Sequence, residues 1–326
     1  VRVVTDSYQL ALAPSTSIAG VKVERFSFPV TAERPKRSVL SEFGLSLHLE
    51  STIGSDTRQV LIDFGYTSEA LMNNLEVFGI KPENLQALIL SHGHFDHFGG
   101  MLGFLEATKG KLKPGIPFYL GGEECFCTRE LNIPDRIGNF GYLDRDAIKA
   151  YNVQATFAEK PSIIAGHAFT TGQIARATFE RVLSPTRMRV GINNGIGCYP
   201  DQINPEKKQA TVVPDDFEHE QATCFNVKDR GLVVMTSCGH RGVVNSVKRA
   251  MAVAGTNKVH AVLGGFHLAP HKDEYVRETV MALKEINPDL VIPMHCTGEA
   301  FQEIAAREMP GKYIRSYTGT RYTFGA

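Results

Sequence analysis

Leu90-Ser91-His92-Gly93-His94-Phe95-Asp96-His97-Phe98-Gly99-Gly100 places three histidines and one aspartate within six residues. Zinc takes imidazole nitrogen and carboxylate oxygen at roughly 2.0 to 2.2 Å, so four such groups on one tight loop can converge on one ion or straddle two. Gly93 is expected to let the loop bend, and Gly99-Gly100 to let its exit pack closely. A single histidine is usually a hydrogen-bonded core or surface residue, and His219 and His260 are read that way. Four ligand types at this spacing reverse that expectation. Three more histidines follow apolar runs: His240 in TSCGH, His267 in GGFHL and His295 in PMHCTG.

These side chains need elements to hold them. LSLHLES (45–51) and RQVLIDFG (58–65) predict neighbouring strands with turn residues between them. SEALMNNLEVFGI (68–80) has apolar residues at helical spacing and ends near Gly79, LQALIL (85–90) reads as a buried strand, and 100–110 as a helix. Strands are expected near 117–120 and 168–172, and a loop-rich insertion around 183–220, favoured as a lid on the substrate side. From 229 onward a strand followed by a helix recurs three times, with helices near 243–253, 272–285 and 299–308, and each strand ends in a histidine. Ligands in such alternating folds collect beyond the carboxyl ends of the strands.

Composition narrows the function classes. Lys plus Arg and Asp plus Glu number 35 each, so no whole-chain field recruits nucleic acid or an anionic membrane. No uncharged apolar run approaches the roughly 18 residues of a membrane span. The expected partner is a small-molecule substrate, with no nucleic acid and no membrane, and oligomeric state is left open. Six cysteines (125, 127, 198, 224, 238, 296) form no CxxC pair, and free thiols are the simpler reading. Cys125 and Cys127 are expected to pack rather than bind a soft metal. The opening Val1-Arg2-Val3-Val4 fits a trimmed chain and a processed export precursor alike, so the expectation for localisation is open between cytoplasm and export. No G-x-S-x-G elbow, P-loop or G-x-G-x-x-G after a strand supports a serine hydrolase or nucleotide cradle.

The run His92, His94, Asp96, His97 matches the HxHxDH signature and resembles the metallo-β-lactamase fold superfamily. EFGLSLHLE (42–50), LIDFG (61–65), TTGQIAR (170–176), TSCGHRGVVN (236–245), LGGFHL (263–268) and PMHCTG (293–298) make the chain similar to the subgroup named for 7,8-dihydropterin-6-methyl-4-(β-D-ribofuranosyl)aminobenzene-5'-phosphate synthase. The resemblance covers about residues 40 to 310 and is weak from 111 to 230. It implies an α/β fold, an αββα four-layer sandwich, here taken as one domain over 1–326, with metals at one edge of the sheets. It implies that His92 and His94 share one metal while Asp96, His97 and His295 take the other. For the remaining ligand of the first site the choice is His240, with His267 behind it and His167 third. The superfamily's bridging aspartate has no counterpart after the strand at 231–237, where Thr236, Ser237, Cys238 and His240 stand; His240, Cys238 or solvent would fill that region. Asp63 resembles an aspartate that supports the metal loop by accepting a ligand N–H. Cys238 and His267 are candidate ligands or neighbours of the site, and Arg176 and Arg241 candidate partners for a phosphate or carboxylate.

The leading expectation is a metal-dependent hydrolase that uses a metal-bound hydroxide on an ester, lactone or phosphoester, with Asp96 as the catalytic carboxylate. Nitrogen-rich ligation suits two zinc ions, with iron, manganese or nickel sharing the ligand types. The alternatives are a transferase of the subgroup's type, joining a pterin diphosphate to an aryl ribosyl phosphate, and a non-catalytic metal-binding module.

Overall fold

The computed structural model describes residues 1–326 except 28–31, 33, 35, 134, 135, 184 and 326. A helix-supported first sheet is built around β1 (Ser46–Ile53), β2 (Asp56–Ile62), β3 (Leu85–Ile89) and β4 (Ile116–Leu120). β1 and β2 form an antiparallel hairpin; β2, β3 and β4 run parallel. The crossovers are α1 (Ser68–Val77) and α2 (Met101–Ala107). α1 starts where the Thr67 hydroxyl accepts the Ala70 N–H at 3.3 Å, one residue before the predicted Ser68 start. Arg2–Thr5 pairs antiparallel with β1, inside the same sheet, and is followed directly by the buried Asp6.

The second sheet contains β5 (Thr223–Val227), β6 (Gly231–Thr236), β7 (Val259–Gly264) and β8 (Leu290–Pro293), the last three parallel. α3 (Val243–Ala254) and α4 (Asp273–Ile286) make the crossovers, and α5 (Glu299–Glu308) follows β8. Gly255 and Asn287 end α3 and α4 in left-handed conformation.

The period of two along each strand sorts the core into layers. Leu47, Leu49, Val60, Ile62, Ala87 and Ile89 of the first sheet meet Val233, Met235, Ala261, Leu263, Leu290 and Ile292 of the second. The intervening residues point outward: Leu61, Leu88 and Phe118 pack with Leu71, Leu75 and Phe104 of α1 and α2. Leu232, Val234, Val262 and Val291 pack with Val247, Val280 and Phe301 of α3, α4 and α5. Strands covered on both faces read as continuous apolar runs, which is why LQALIL and GLVVMT were legible. The result is the helix, sheet, sheet, helix order. Among the described residues no helix is long and apolar enough to cross a membrane.

One expectation for the middle of the chain is corrected and another gains detail. The loop-rich 183–220 segment, whose residue 184 lies outside the described residues, is not loop throughout: it contains Thr186–Arg189, Gly191–Asn193, Ile196–Cys198 and Val212–Pro214 as strands. The first and last join Thr128–Ile133 and Arg136–Asn139 in a separate small sheet. TRELNI and TRMR place charged side chains among the apolar ones and VVP is only three residues long, so none forms the apolar run that marks a buried strand. Nor are all the thiols free. Cys127 and Cys198 form a disulfide across 71 residues, while Cys125 is a buried free thiol.

Candidate metal centre

β2, β3, β6, β7 and β8 all end at one rim, and the residues that follow them meet there. After β3 the chain passes through Gly93, where a Cβ would lie 2.8 Å from the Arg129 Cζ and 3.0 Å from the Cys125 carbonyl. Room for Arg129, not freedom to bend, therefore demands glycine here, since no positive φ occurs at this position. His94 then opens a single helical turn, Phe95–Phe98, that presents Asp96 and His97.

Each ligand-type ring is oriented by what its other nitrogen does. His97 Nδ1 donates to Asp63 Oδ2 at 2.8 Å. His92 Nδ1 donates to Ser91 Oγ at 3.0 Å, and that hydroxyl donates to the same Asp63 oxygen at 2.8 Å. His94 repeats the arrangement with other residues: its Nε2 bonds Thr186 Oγ1 at 2.8 Å, and Thr186 Oγ1 donates to Asp215 Oδ2 at 3.3 Å. Asp215 in turn receives Arg129 Nε at 3.0 Å. Two aspartates thus anchor three imidazoles and leave His92 Nε2, His97 Nε2 and His94 Nδ1 turned away from these supports.

His240 lies 4.8 Å, ring centre to ring centre, from both His92 and His94. It is clamped between the parallel ring of Phe217 at 3.7 Å and His267 at 3.9 Å. Its backbone N–H is held by Glu220 Oε1 at 2.9 Å. His295 is 4.9 Å from His97, its Nε2 is 3.2 Å from Asp96 Oδ2, and its backbone N–H donates to Asp6 Oδ1 at 2.8 Å. Candidate ligand atoms of His92, His94 and His240 lie within 4.8 Å of one another, as do those of Asp96, His97 and His295. Cys238 forms a further such group with His92 and His97, in the region where a bridging carboxylate was missed.

At this rim burial leaves His92 Nε2, Asp96 Oδ1, His97 Nε2, both ring nitrogens of His240 and Nδ1 of His295 without a hydrogen-bond partner, while His295 Nε2 faces only Asp96 Oδ2. Such a concentration of buried polar atoms is costly unless something binds them, and nitrogen with carboxylate oxygen is a donor set for a divalent cation. Burial holds His92, His94 and His240 below the ordinary imidazole range, which keeps their lone pairs free. For Asp96, burial opposes ionisation, but His97, His295 and His94 outweigh it and hold the carboxyl well below its usual value. For His295, burial pushes downward and the neighbouring Cys296, Asp96 and Asp6 reverse it, to about 9. Both groups of residues fit cations.

A sequence model described as the metallo-beta-lactamase superfamily matches residues 52–114, the stretch that includes β3 and the histidine loop. A solved structure described as a metal-dependent hydrolase of the beta-lactamase superfamily superposes with a TM-score of 0.67, at 23% identity, covering 99% of this chain and 98% of its own. The chain has the metallo-β-lactamase fold. It is also similar to 7,8-dihydropterin-6-methyl-4-(beta-D-ribofuranosyl)-aminobenzene-5'-phosphate synthase of Methanocaldococcus jannaschii, 27% identical over 86% of this chain and 89% of that protein. An uncharacterised protein of the same organism is 24% identical over 81% of this chain and 88% of its own length.

Within this metallo-β-lactamase fold, the other sequence candidates are placed as follows. His267 lies beside His240 and Cys238. His167 lies elsewhere, against Ser51 and Asp56 of the β1–β2 hairpin. Arg176 is exposed, whereas Arg241 Nε and Nη1 are committed to the carbonyls of Ile174 and Asp216, each at 2.9 Å. His260 bonds Asp289, and His219 accepts Gly93 N–H at 3.1 Å and Arg129 Nη2 at 3.0 Å, which makes it a support of the loop that carries His92 and His94. Sequence reasoning missed Asp6, Arg129, Thr186, Asp215, Phe217 and Glu220. A faint signal is present for some of them: PDDFEHE (214–220) clusters acids and a histidine at the end of the loop-rich insertion.

Proposed function

We propose that this chain is a metal-dependent hydrolase acting on an ester, lactone or phosphoester. The observation that carries the reading is the set of buried, unpartnered nitrogen and oxygen atoms on His92, His97, Asp96, His240 and His295. His92, His94 and His240 would hold one cation, and Asp96, His97 and His295 a second, with zinc the favoured identity from ligand type. Cations there would supply Lewis acidity toward a carbonyl or phosphoryl oxygen and an acidified water. Asp96 would serve in two ways, since Oδ2 faces His295 and the buried, ionised Oδ1 is free to accept a hydrogen bond that orients the attacking water. Asp63 and Asp215 keep the imidazoles in fixed tautomers. Phe43, tilted 5.2 Å from His295 and exposed, forms an apolar wall at the mouth for a substrate.

The test is elemental mass spectrometry on protein purified without chelator or added metal, for the wild type, Asp96→Ala and His240→Ala. About two equivalents in the wild type, falling in both variants, support the reading; less than about half an equivalent in the wild type, with handling losses controlled, sinks it. Lactones and phosphoesters are then screened in ¹⁸O-labelled water, where hydrolysis places solvent oxygen in the product.

One observation favours a second reading. The relative named as a synthase matches across 86% of this chain, and a transferase would use the same residues to hold a leaving phosphate or diphosphate. Transfer between two organic substrates leaves no solvent oxygen in the product, so the labelled-water experiment separates the two.

A further inference from the structure

Two cysteines stand beside the metal centre on strand ends that are not neighbours. Cys238 lies two residues beyond β6 and Cys296 three beyond β8, with β7 between them. Their sulfurs nevertheless approach to 3.1 Å. The meeting depends on Gly265, the residue after β7: a Cβ there would be 2.9 Å from Cys296 Sγ and 3.3 Å from Cys238 Cα, and would collide with the Ser237 carbonyl. A third group completes the cluster. His267 Nε2 donates to the Leu183 carbonyl at 3.2 Å, which leaves the Nδ1 lone pair facing Cys238 Sγ at 3.5 Å. Cys238 is buried and Cys296 is partly exposed.

We propose that Cys238 and Cys296 are a reversible dithiol/disulfide pair whose oxidation weakens metal binding at the adjacent centre. A low-molecular-weight disulfide is the oxidant. The more accessible Cys296 sulfur attacks it, breaking its S–S bond and releasing one thiol. Cys238, its proton accepted by His267 Nδ1, then attacks the Cys296 sulfur and releases the second thiol. Two protein thiols lose two electrons in total, one oxidant disulfide gains them, and both protons end on the departing thiols. Closure requires the sulfurs to move from 3.1 Å to a bond of roughly 2.05 Å. The consequence for metal follows from position. Cys238 Sγ shares a potential ligand group with His92 and His97, and a sulfur held in a disulfide no longer offers a thiolate there. The new bond also pulls on Cys296, the neighbour of His295, whose backbone sits at φ +53°.

The metal arm of this proposal rests on the metal-centre reading above; the disulfide arm does not. The metal-loaded wild type is equilibrated with oxidised or with reduced glutathione, then split for alkylation in denaturant with peptide mapping and for elemental mass spectrometry after desalting. The expected result is a 238–296 cross-link, a fall in alkylated cysteines from the four free ones to Cys125 and Cys224 alone, and a several-fold loss of retained metal. Cys296→Ser should show no cross-link and keep its metal under the same oxidation. A glutathione adduct on Cys296 without a cross-link, or four alkylated thiols after equilibration, overturns the pair. A complete cross-link with unchanged metal overturns the coupling. Wild-type protein that holds no metal even when reduced defeats the metal-centre reading, and the peptide map still decides the disulfide.

Discussion

Asp63 accepts the Nδ1 proton of His97 at 2.8 Å from a backbone held at φ +57°, a left-handed conformation that few non-glycine residues adopt. The same carboxylate receives Ser91 N–H at 2.7 Å and Ser91 Oγ at 2.8 Å, so one side chain aligns His97 directly and His92 through a hydroxyl. Aspartate and asparagine tolerate this backbone better than other non-glycine residues, which makes Asp63→Asn the substitution of choice. Replacing the charge with an amide should weaken metal affinity about 10- to 100-fold while the fold persists. Chelator competition measures the first and circular dichroism the second; unchanged affinity would show that Ser91 and His97 orient themselves without the charge.

Arg129 is wholly buried, and its guanidinium donates to Asp215, to the Glu124 carbonyl at 2.9 Å, to the Cys127 carbonyl at 2.8 Å and to His219. Arg129→Met leaves the Asp215 carboxylate buried without its cation, a change that costs about 3–5 kcal/mol. Urea unfolding should register a loss of that order. Adding Asp215→Asn should recover part of it, and a double variant no more stable than Arg129→Met would refute the pairing as the cause.

α3 has no side-chain cap of its own, because Gly242 precedes it. Glu180 supplies the cap from 64 residues away, with Oε1 accepting Val244 N–H at 3.0 Å and Oε2 accepting Asn245 N–H at 2.8 Å. Glu180→Ala should lower stability by about 1–2 kcal/mol in denaturant unfolding, within the range for lost helix caps. Metal content should stay at the wild-type level, since the cap does not contact a ligand side chain.

Stripping metal should destabilise the fold, because the proposed ligands follow β3 of one sheet and β6 and β8 of the other, so a bound ion adds a tie across the two packed sheets. At free metal 100-fold above its dissociation constant the bound form gains about 2.7 kcal/mol. A thermal midpoint several degrees lower in chelator, restored by added zinc, is the expected outcome. Coincident melting curves with and without chelator would count against ligation by residues of both sheets.

Much of this architecture can be read along the chain because the relevant information is local. Parallel strands covered on both faces leave apolar runs, α1, α3, α4 and α5 leave helical periods, and His92, His94, Asp96 and His97 stand within six residues of sequence. The small sheet between β4 and β5 was invisible because its strands are no apolar runs: TRELNI and TRMR interleave charged with apolar residues and VVP is only three residues long.

Sequence by itself determined which strand ends carry ligand-type side chains: their order along the chain follows from the alternation of strand and helix, and parallel strands send all their carboxyl ends to one rim. Only tertiary structure decided what holds those side chains in place. Asp215 reaches His94 through Thr186, Glu220 takes the His240 N–H, Asp6 takes the His295 N–H from 289 residues away, and Cys127 closes on Cys198. Such partners carry no local spacing to betray them, because a hydrogen bond or a disulfide between distant segments depends on where two loops come to rest after the sheets have packed.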